Sequence, residues 1–368
     1  MRTPALTPLA QSLPDTVPFV GPETQERARG RAFKARLGAN ENLFGPSPSA
    51  VAAMANAAAD IWMYGDPENH DLRHALAVHH GVAAENIVIG EGIDALLGNL
   101  VRLMVGPGDR VVTSEGAYPT FNFHVAAVGG VVEKVPYKGD HEDPVALVAK
   151  ARDCGARIIY LANPDNPMGS WHQADVIEAM IADLPEDCLM CLDEAYIEMA
   201  PKGTAPAFNT DDPRVLRMRT FSKAYGMAGA RIGYAIGAVA IVRAFDKLRN
   251  HFGVSRIAQA GALAALADQD WLAKVLENIA GAKQRIAEIG QANGLIALPS
   301  ATNFVTLDCG ADGARARALV AALAAQDVFV RMPFAAPQNR CIRISAGGDA
   351  ELDHLAAVLP AAFRTLES

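Results

Sequence analysis

Short apolar segments alternate with helix-like segments through the middle of the chain, and this alternation restricts the fold more than any other feature. Several apolar segments lack the polar–apolar alternation of a half-exposed strand, as expected of strands buried on both faces. Strands are predicted at 87–89, 110–113, 131–135, 157–161, 189–192, 215–219 and 231–236. Helices between them are predicted at 96–105, 144–154 and 173–184, among others. This order favours an α/β fold with a mostly parallel sheet flanked by helices.

The pattern changes after about residue 241, which predicts a second, smaller domain. The elements predicted there are helices at 256–292 and 314–326 and strands at 303–307 and 341–344. At roughly 150 residues per domain, a chain of this length suffices for two domains. We predict a large domain at 46–248, and a smaller α+β domain formed by 249–368 with an N-terminal arm, 1–45.

The charge balance and the cysteine content restrict the class of protein. The chain has 33 basic and 41 acidic residues, a net charge of −8, and no run of Lys and Arg, which argues against a nucleic-acid partner. No apolar run reaches the roughly 18 residues of a membrane span. Five cysteines, an odd number in a long chain, favour a reducing compartment. We therefore expect a soluble cytoplasmic enzyme with small-molecule substrates.

Lys223 is the residue most indicative of chemistry. It follows the predicted strand at 215–219 and lies in the segment 221–230, Phe-Ser-Lys-Ala-Tyr-Gly-Met-Ala-Gly-Ala, where small residues would let a planar group approach the backbone. A lysine becomes nucleophilic when burial or a neighbouring cation lowers its pKa. Arg231 could supply that cation and also hold a phosphate. The alternative is a surface lysine at a turn, since most lysines are exposed.

Asp193 ends an apolar strand, at the position where open α/β sheets bind their ligands. A buried carboxylate needs a cation or hydrogen-bond donors. The protonated ring nitrogen of pyridoxal phosphate is one such cation, and a lysine Schiff base with an aspartate at the ring nitrogen is typical of that cofactor. Tyr196 lies near enough in sequence to reach the ring hydroxyl. A helix cap or a salt bridge is the alternative role for Asp193.

The segment 90–95, Gly-Glu-Gly-Ile-Asp-Ala, follows a strand and opens a helix. The backbone amides of a helix N-terminus bind phosphate. The same segment matches the dinucleotide-binding pattern G-x-G-x-x-G/A, with Glu115 after the next strand. A nucleotide-dependent oxidoreductase therefore remains an alternative, although it leaves Lys223, Asp193 and Arg231 without a role.

Two further polar residues follow or interrupt apolar strands. Asn166 lies in the turn-rich segment 163–169 and could hydrogen-bond the phenolic oxygen of a cofactor, although a plain loop explains the segment equally well. Arg343 lies inside the apolar strand at 341–344, where its planar guanidinium could hold a carboxylate or a phosphate with two hydrogen bonds. No metal site is predicted, because neither the cysteines nor the histidines form a ligand set.

These motifs together resemble the class I/II, fold-type I aminotransferases that use pyridoxal phosphate, and among them the histidinol-phosphate aminotransferases. The resemblance extends from about residue 18 to residue 360. The motifs that carry it are Ser222-Lys223 with Arg231, Asp-Glu-Ala-Tyr at 193–196, Asn-Pro-Asp-Asn-Pro at 163–167, Asn-Glu-Asn-Leu-Phe-Gly-Pro-Ser-Pro at 40–48, Tyr64, Asp-Leu-Arg at 71–73, Gly-Pro-Gly-Asp at 106–109, Tyr118-Pro119 and Cys-Ile-Arg-Ile at 341–344.

The resemblance implies the cofactor and its contacts. Pyridoxal 5'-phosphate would form an internal aldimine with Lys223, and the large domain would bind it. Asp193 would pair with the ring nitrogen, Asn166 and Tyr196 would contact the ring hydroxyl, and Tyr118 would stack on the ring. The phosphate would be held by Gly92, Ile93, Asp94, Thr220, Ser222 and Arg231.

The resemblance also implies the substrates and the assembly. An amino donor and a keto acid such as 2-oxoglutarate would react in turn, by a ping-pong mechanism. The substrate would be bound by Arg343, Arg331, Asn42 and Phe19. Tyr64 would reach the active site of the partner subunit, which implies a homodimer.

The chain departs from the family pattern near its N-terminus. Phe19 stands where a tyrosine is usual, and Glu23 stands where a lysine is common. The sequence therefore predicts that histidinol phosphate is one substrate among several, with α-amino acids competing. An aromatic amino-acid aminotransferase, a phosphothreonine-type decarboxylase and a regulator that retains the fold remain as alternatives.

Overall fold

The computed structural model describes residues 4–15 and 20–364, so Phe19 lies outside the described residues. The α-helices are α1 (Pro8–Ser12), α2 (Pro22–Arg29), α3 (Pro48–Ala57), α4 (His70–His80), α5 (Gly92–Met104), α6 (Thr120–Ala127), α7 (Pro144–Cys154), α8 (Ala174–Ala182), α9 (Val239–Ala244), α10 (Arg256–Ala267), α11 (Gln269–Ala292), α12 (Gly313–Ala325) and α13 (Asp349–Arg364). The strands are β1 (Ala35–Arg36), β2 (Ile87–Gly90), β3 (Arg110–Ser114), β4 (Val131–Val135), β5 (Ile158–Ala162), β6 (Leu189–Asp193), β7 (Val215–Thr220), β8 (Gly233–Gly237), β9 (Ile296–Ala297), β10 (Phe304–Asp308), β11 (Val328–Phe329) and β12 (Cys341–Ser345).

A seven-stranded sheet with the order β2-β8-β7-β6-β5-β3-β4 forms the centre of the larger body. Strands β4, β3, β5, β6 and β7 pair in parallel, whereas β8 runs antiparallel to β7 and β2. The prediction of a mostly parallel sheet is confirmed. The strand predicted at 231–236 begins later, at Gly233, because Arg231 has a φ of 54° and ends a short turn instead of extending the strand.

Helices bury both faces of this sheet, which explains why its strands are apolar throughout. In β5, Ile158 and Tyr160 face the core formed with α5 and α6, whereas Ile159 and Leu161 face the core formed with α7 and α8. The carboxyl ends of the parallel strands meet at one edge of the sheet. Asp193, the last residue of β6, therefore lies at that edge opposite Met218 of β7, and Thr220, the last residue of β7, lies two residues beyond Met218.

A smaller body contains the antiparallel sheet β12-β10-β9 and the parallel pair of β1 and β11. Its core is formed by these strands with α11, α12 and α13. Ala35 and Leu37, from the N-terminal arm, are fully buried in this core. The arm thus packs with the C-terminal part of the chain although they are far apart in sequence.

The helix predicted at 256–292 is two helices, α10 and α11, because the chain turns at Asp268. The Asp268 side chain accepts a hydrogen bond from the backbone nitrogen of Trp271 (3.2 Å) and so caps α11. Helix α10 packs against α3 and α4 in the core of the larger body, and α11 joins the smaller core. The domain division remains a prediction. Helix α10 follows the boundary predicted at 248, yet it packs in the core of the larger body.

None of the helices in the described part of the chain combines the length and the apolar character needed to cross a membrane.

A buried ion cluster holds β6 and β7 together on the face opposite to Asp193. Glu194 is 1% exposed and accepts hydrogen bonds from Arg217 Nη2 (2.6 Å) and Arg219 Nε (2.9 Å). Burial would raise the pKa of Glu194, but the charges of Arg219 and Arg217 hold it below its usual value. The Arg217 guanidinium also lies over the Phe208 ring, 4.0 Å from its centre. Glu194 is therefore ionised and compensates two buried cations.

Glu194→Gln should destabilise the protein, because Arg217 and Arg219 would stay buried without their counter-ion. We expect the free energy of unfolding to fall by about 3–5 kcal/mol, the usual cost of removing one side of a buried ion pair. Urea denaturation followed by circular dichroism measures this change. Asp183→Asn, in the exposed pair with Arg152, is the control and should cost less than about 1 kcal/mol. Equal losses in the two variants would contradict the stabilising role of the cluster.

Candidate active site

A cavity of about 390 Å³ opens at the carboxyl ends of β5, β6 and β7, beside the N-terminus of α5. Residues of both bodies line it. Arg343, in β12, and Arg331, shortly after β11, belong to the smaller body and line the cavity together with residues of the large sheet. The predicted site residues that line the cavity are Ile93, Asp94, Tyr118, Asn166, Asp193, Tyr196, Thr220, Ser222, Lys223, Arg231, Arg331 and Arg343. The fold thus brings together residues that are up to 250 positions apart, from Ile93 to Arg343.

The amine of Lys223 lies in this cavity, and its pKa is lowered to about 8. Burial is the main cause, followed by the positive charge of Arg343, with Arg231 contributing less. The expectation that Arg231 supplies the neighbouring cation is therefore correct only in part, because Arg343 has the larger effect. Lys223 Nζ donates a hydrogen bond to the carbonyl oxygen of Asn40 (3.0 Å). A substantial fraction of this amine is neutral near pH 8 and able to accept a proton.

Asp193 presents a buried carboxylate to the same cavity. It is 4% exposed, accepts hydrogen bonds from Tyr160 Oη (2.7 Å) and from the backbone nitrogen of Ala195 (3.0 Å), and forms no ion pair within the described residues. Burial raises the pKa of Asp193 to about 6, and the two hydrogen bonds oppose that increase. A carboxylate in this position is suited to a cationic group of a ligand.

The N-terminus of α5 forms an anion-binding corner of the cavity. Gly92 has a φ of 84°, and a Cβ atom there would lie 2.8 Å from Arg231 Nη2, so glycine lets the guanidinium approach the backbone. The side chain of Glu91, at the cap position, makes no capping hydrogen bond. The hydroxyl groups of Thr220 and Ser222 lie 3.0 Å apart beside this corner. Helix amides, two hydroxyls and a guanidinium together are suited to a phosphate.

Tyrosine and asparagine side chains line the wall between these groups. Tyr196 Oη accepts a hydrogen bond from Asn40 Nδ2 (2.9 Å), and burial raises the pKa of Tyr196 well above its usual value, so the phenol stays protonated. Asn166 Oδ1 accepts a hydrogen bond from Arg343 Nη1. Burial also raises the pKa of Tyr118, whose ring lines the cavity.

Arg331 and Arg343 lie on adjacent backbone segments, and both line the cavity. Arg343 N donates to Arg331 O (2.6 Å), and Arg331 N donates to Arg343 O (3.3 Å). Arg331 Nη2 donates to the carbonyl oxygen of Val20 (2.7 Å), and Arg343 Nη2 donates to that of Gly38 (3.2 Å). Burial lowers the pKa of Arg343 to about 10, and no acidic side chain in the described residues forms an ion pair with it. Two guanidinium groups in this arrangement are suited to an anionic substrate.

Of the predicted site residues that the structure describes, Gly92, Asn42 and Tyr64 do not line the cavity. Gly92 lies close to the guanidinium of Arg231. Phe19 lies outside the described residues. Asn42 Nδ2 donates to the carbonyl oxygens of Lys223 and Ala224 (3.0 Å each), so it positions the backbone that carries the lysine. Tyr64 is 76% exposed and lies on the surface.

Two residues that line the cavity received no role from the sequence. Asn40 has a φ of 54° and is 2% exposed, and its carbonyl oxygen is the acceptor for Lys223 Nζ. Tyr160 holds the Asp193 carboxylate from the neighbouring strand. The available signal for Tyr160 was a single polar side chain in an otherwise apolar strand. Asn40 begins the motif at 40–48, but the contacts of its side chain and backbone are with residues far away in sequence.

Two buried acids lie behind the segment that carries Asn166. Glu142 accepts hydrogen bonds from Ser114 Oγ (2.5 Å) and from the backbone nitrogen of Ala162 (3.0 Å). Asp165 accepts from Tyr137 Oη (3.1 Å). Burial raises the pKa of Asp165 to about 7 and that of Glu142 well above its usual value. This pair therefore holds a proton to higher pH than exposed carboxyl groups do.

The chain is similar to known aminotransferases over nearly its full length. The family described as aminotransferase class I and II matches residues 34–359. A histidinol-phosphate aminotransferase of Anaeromyxobacter sp. (strain Fw109-5) is 33% identical over 362 residues, 97% of this chain and 98% of the relative. An aromatic amino acid aminotransferase of Corynebacterium diphtheriae is 35% identical over 332 residues, 89% of this chain and 93% of the relative.

A solved structure confirms the predicted fold class. The histidinol-phosphate aminotransferase from Sinorhizobium meliloti, in complex with pyridoxal-5'-phosphate, superposes with a TM-score of 0.96. It is 55% identical in sequence, and the match covers 99% of this chain and 99% of that chain.

The buried acids predict a specific pH dependence of stability. Burial, and then the charge of Asp165, raise the folded-state pKa of Glu142 above its usual 4.5, so the folded protein binds this proton more tightly than the unfolded chain does. The resulting stabilisation is complete below pH 4.5 and declines as the pH rises from there toward the raised pKa, by up to about 1.4 kcal/mol per pH unit. Glu142→Gln, which carries no titrating proton, should flatten this decline.

Urea denaturation of the wild type and the variant at several pH values, from mildly acidic to mildly alkaline, measures the decline. Glu178→Gln, at an exposed position of α8, is the control and should leave the pH dependence unchanged. If Glu142→Gln has the same pH dependence as the wild type, the titration of Glu142 does not cause the decline.

Proposed function

The chain belongs to the aminotransferase class I and II family, and we propose that it is a pyridoxal-phosphate-dependent enzyme that transfers the amino group of histidinol phosphate to a keto acid such as 2-oxoglutarate. The observation that carries this proposal is that Lys223, Asp193, Arg231, Arg331 and Arg343 all line one cavity. The nucleotide-dependent oxidoreductase is not favoured, because it gives these five residues no function.

The residues of the cavity fit pyridoxal phosphate. The buried Asp193 carboxylate, which forms no ion pair in the described residues, would hold the protonated ring nitrogen, and Tyr118 would cover the ring. Asn166 and Tyr196 would contact the ring oxygen. The anion-binding corner would hold the phosphate through Gly92, Ile93, Asp94, Thr220, Ser222 and Arg231. When bound, the cofactor accepts the amino group, stabilises the negative charge on the substrate carbon and passes the amino group to the second substrate.

Lys223 would bind the cofactor and then move the proton. Its amine, with a pKa lowered to about 8, could take the proton from the substrate carbon that bears the amino group and would deliver it to the cofactor. The acceptor of its hydrogen bond, Asn40 O, keeps Nζ in the cavity. Asp193 would keep the ring nitrogen charged, because two donors stabilise its carboxylate.

Arg343 and Arg331 would bind the anionic end of either substrate, the phosphate of histidinol phosphate or a carboxylate of the keto acid. Glu23, which departs from the family pattern, lies in an ion pair with Arg36 (2.9 Å) and does not line the cavity. Arg36 also pairs with Glu26, so Glu23 shares this cation, but Glu23 makes no direct contact with the cavity in which the substrate would bind.

A second class of donor is supported by a separate observation. Met332, Pro333 and Phe334 line the cavity next to Arg331, and the Phe334 side chain is 59% exposed. This apolar wall suits an aromatic ring. One of the similar relatives is an aromatic amino acid aminotransferase. Aromatic amino acids are therefore the second candidate donors.

The proposal extends to assembly and location. The Tyr64 ring lies against the Phe252 ring, with the ring centres 4.7 Å apart and the planes tilted by 37°. Ile61 and Trp62, close to Tyr64 in sequence, are also exposed. Such exposed apolar side chains suit a protein interface, and a homodimer would place Tyr64 at the partner's active site. The cysteine content and the biosynthetic type of reaction favour the cytoplasm.

Lys223→Ala should abolish transamination while the fold survives, because one amine both binds the cofactor and moves the proton. We expect a loss of at least about four orders of magnitude, since a covalent nucleophile and a general base are removed together. Product formation and the visible absorbance of bound cofactor measure the effect. Lys283→Ala is the control, since Lys283 is partly buried and bonds to Ser300 O (2.7 Å) outside the cavity. Near-normal turnover of Lys223→Ala would refute the mechanism.

Arg343→Ala should raise the KM for 2-oxoglutarate far more than it weakens cofactor binding. Removing one guanidinium from a charged hydrogen-bonded contact costs about 2–5 kcal/mol. Steady-state kinetics and cofactor titration of the variant separate the two effects. Arg340→Ala is the control, because Arg340 pairs with Asp140 and Asp308 outside the cavity and should leave the KM unchanged. An unaltered KM in Arg343→Ala would show that the anion binds elsewhere.

The same kinetic measurements test the substrate class. We expect histidinol phosphate to be the better donor, with aromatic amino acids accepted at a kcat/KM lower by less than about a thousandfold, or roughly 4 kcal/mol. A larger preference would show a dedicated histidinol-phosphate aminotransferase. A preference for aromatic amino acids would replace histidinol phosphate as the proposed donor.

A further inference from the structure

Tyr160 is a buried tyrosine that faces the cavity from the middle of β5. In the parallel pairing of β5 with β6, Tyr160 lies opposite Cys191, and Asp193 is two residues further along β6. Because side chains alternate between the faces of a sheet, Tyr160, Cys191 and Asp193 all point to the same face. The geometry of the sheet thus places the phenol within reach of the carboxylate.

The contact between the two side chains is well defined. Tyr160 Oη donates to Asp193 Oδ2 at 2.7 Å, and the backbone nitrogen of Ala195 donates to Asp193 Oδ1 at 3.0 Å. The Tyr160 ring is fully buried and stacks on Phe121, with the ring centres 4.9 Å apart and an angle of 13° between the planes. Each carboxylate oxygen therefore has one fixed donor, and the orientation of the carboxylate is set.

We propose that Tyr160 is a positioning residue that keeps Asp193 ionised and oriented. The proton between Asp193 and the ring nitrogen of a bound cofactor then stays on the nitrogen. This inference rests on the proposed function, since it concerns the group that Asp193 would hold. It assigns Tyr160 a role in the reaction although Tyr160 lies one contact away from the proposed ring position.

The physical reason is the basicity of a buried carboxylate. Burial alone raises the pKa of Asp193, and the hydrogen bond from Tyr160 is the larger of the two that oppose the increase. Without that donor the carboxylate would bind a proton more strongly and would draw it from the ring nitrogen. Burial also raises the pKa of Tyr160 well above its usual value, so the phenol remains a donor at neutral pH.

A purely structural role for Tyr160 makes a different prediction. If Tyr160 only filled the core between Phe121 and β6, phenylalanine would replace it without a change in the chemistry of the site. If Tyr160 acts through its hydroxyl group, Tyr160→Phe should alter the ring nitrogen while leaving the packing in place.

The experiment compares the wild-type holoenzyme with Tyr160→Phe, both loaded with pyridoxal phosphate labelled with ¹⁵N at the ring nitrogen. The ¹⁵N chemical shift reports whether that nitrogen is protonated. In Tyr160→Phe we expect the shift to move toward the value of the neutral ring, and kcat to fall at least about tenfold with little change in KM, as for the loss of a hydrogen bond to a charged group. Tyr234→Phe is the matched control, because the buried Tyr234 hydroxyl bonds to His80 Nε2 (2.9 Å) outside the cavity.

A second variant tests the inference even if Tyr160→Phe does not fold. Site-specific replacement of Tyr160 by 3-fluorotyrosine retains the hydroxyl group and makes it a stronger donor, so the ring nitrogen should stay protonated to higher pH than in the wild type. In the Asp193→Asn background, Tyr160→Phe should have little further effect on kcat, because the two side chains act as a pair.

The outcomes are distinct. An unchanged ¹⁵N shift and kcat in folded Tyr160→Phe, or no response to 3-fluorotyrosine, would overturn the role of Tyr160 and leave the proposed function intact. A wild-type protein that binds no pyridoxal phosphate would overturn both. Equal changes in Tyr160→Phe and Tyr234→Phe would show a general effect of losing a buried hydroxyl group and would also overturn the inference.

Discussion

The burial of charged side chains at one edge of a parallel sheet is the constraint on which the rest of the structure depends. Consecutive residues at the end of β6 point to opposite faces, so Asp193 faces the cavity while Glu194 faces Arg217 and Arg219. An isolated buried charge is costly, and each of these carboxylates is surrounded by donors. The ion cluster on one face fixes the strands whose ends form the cavity on the other face.

Asn40 connects this edge of the sheet to the smaller body. Its carbonyl oxygen accepts hydrogen bonds from Lys223 Nζ (3.0 Å) and Asn303 Nδ2 (3.1 Å), its Nδ2 donates to Tyr196, and its backbone nitrogen donates to Ser345 Oγ (3.0 Å). Two of these partners belong to the large body and two to the smaller one. The position of the Lys223 amine therefore depends on how the two bodies pack, and any movement of the smaller body would change its surroundings.

The sequence predicts the local features of this arrangement better than the distant ones. Apolar strands followed by Asp193 and Lys223 are visible as a pattern, because alternation and strand ends are properties of short segments. The break between α10 and α11 was missed, since one aspartate caps a helix within an otherwise continuous helical pattern. The contacts of Asn40 and Tyr160 were also missed, because they join residues on different strands and in different bodies. Such contacts are determined by the tertiary structure and not by spacing in the chain.

The electrostatic effect of Arg343 on Lys223 is also determined by the tertiary structure. It would relate substrate binding to proton transfer. Arg343 lies 120 positions beyond Lys223 in sequence, yet after burial its charge is the main cause of the lowered pKa of the amine. An anion bound by Arg343 would offset that charge and raise the proton affinity of Lys223. The amine would then become a stronger base when the substrate's anionic end is in place. The arginine proposed to bind the substrate would therefore also adjust the proposed base, because the packing of the two bodies places Arg343 and Lys223 around one cavity.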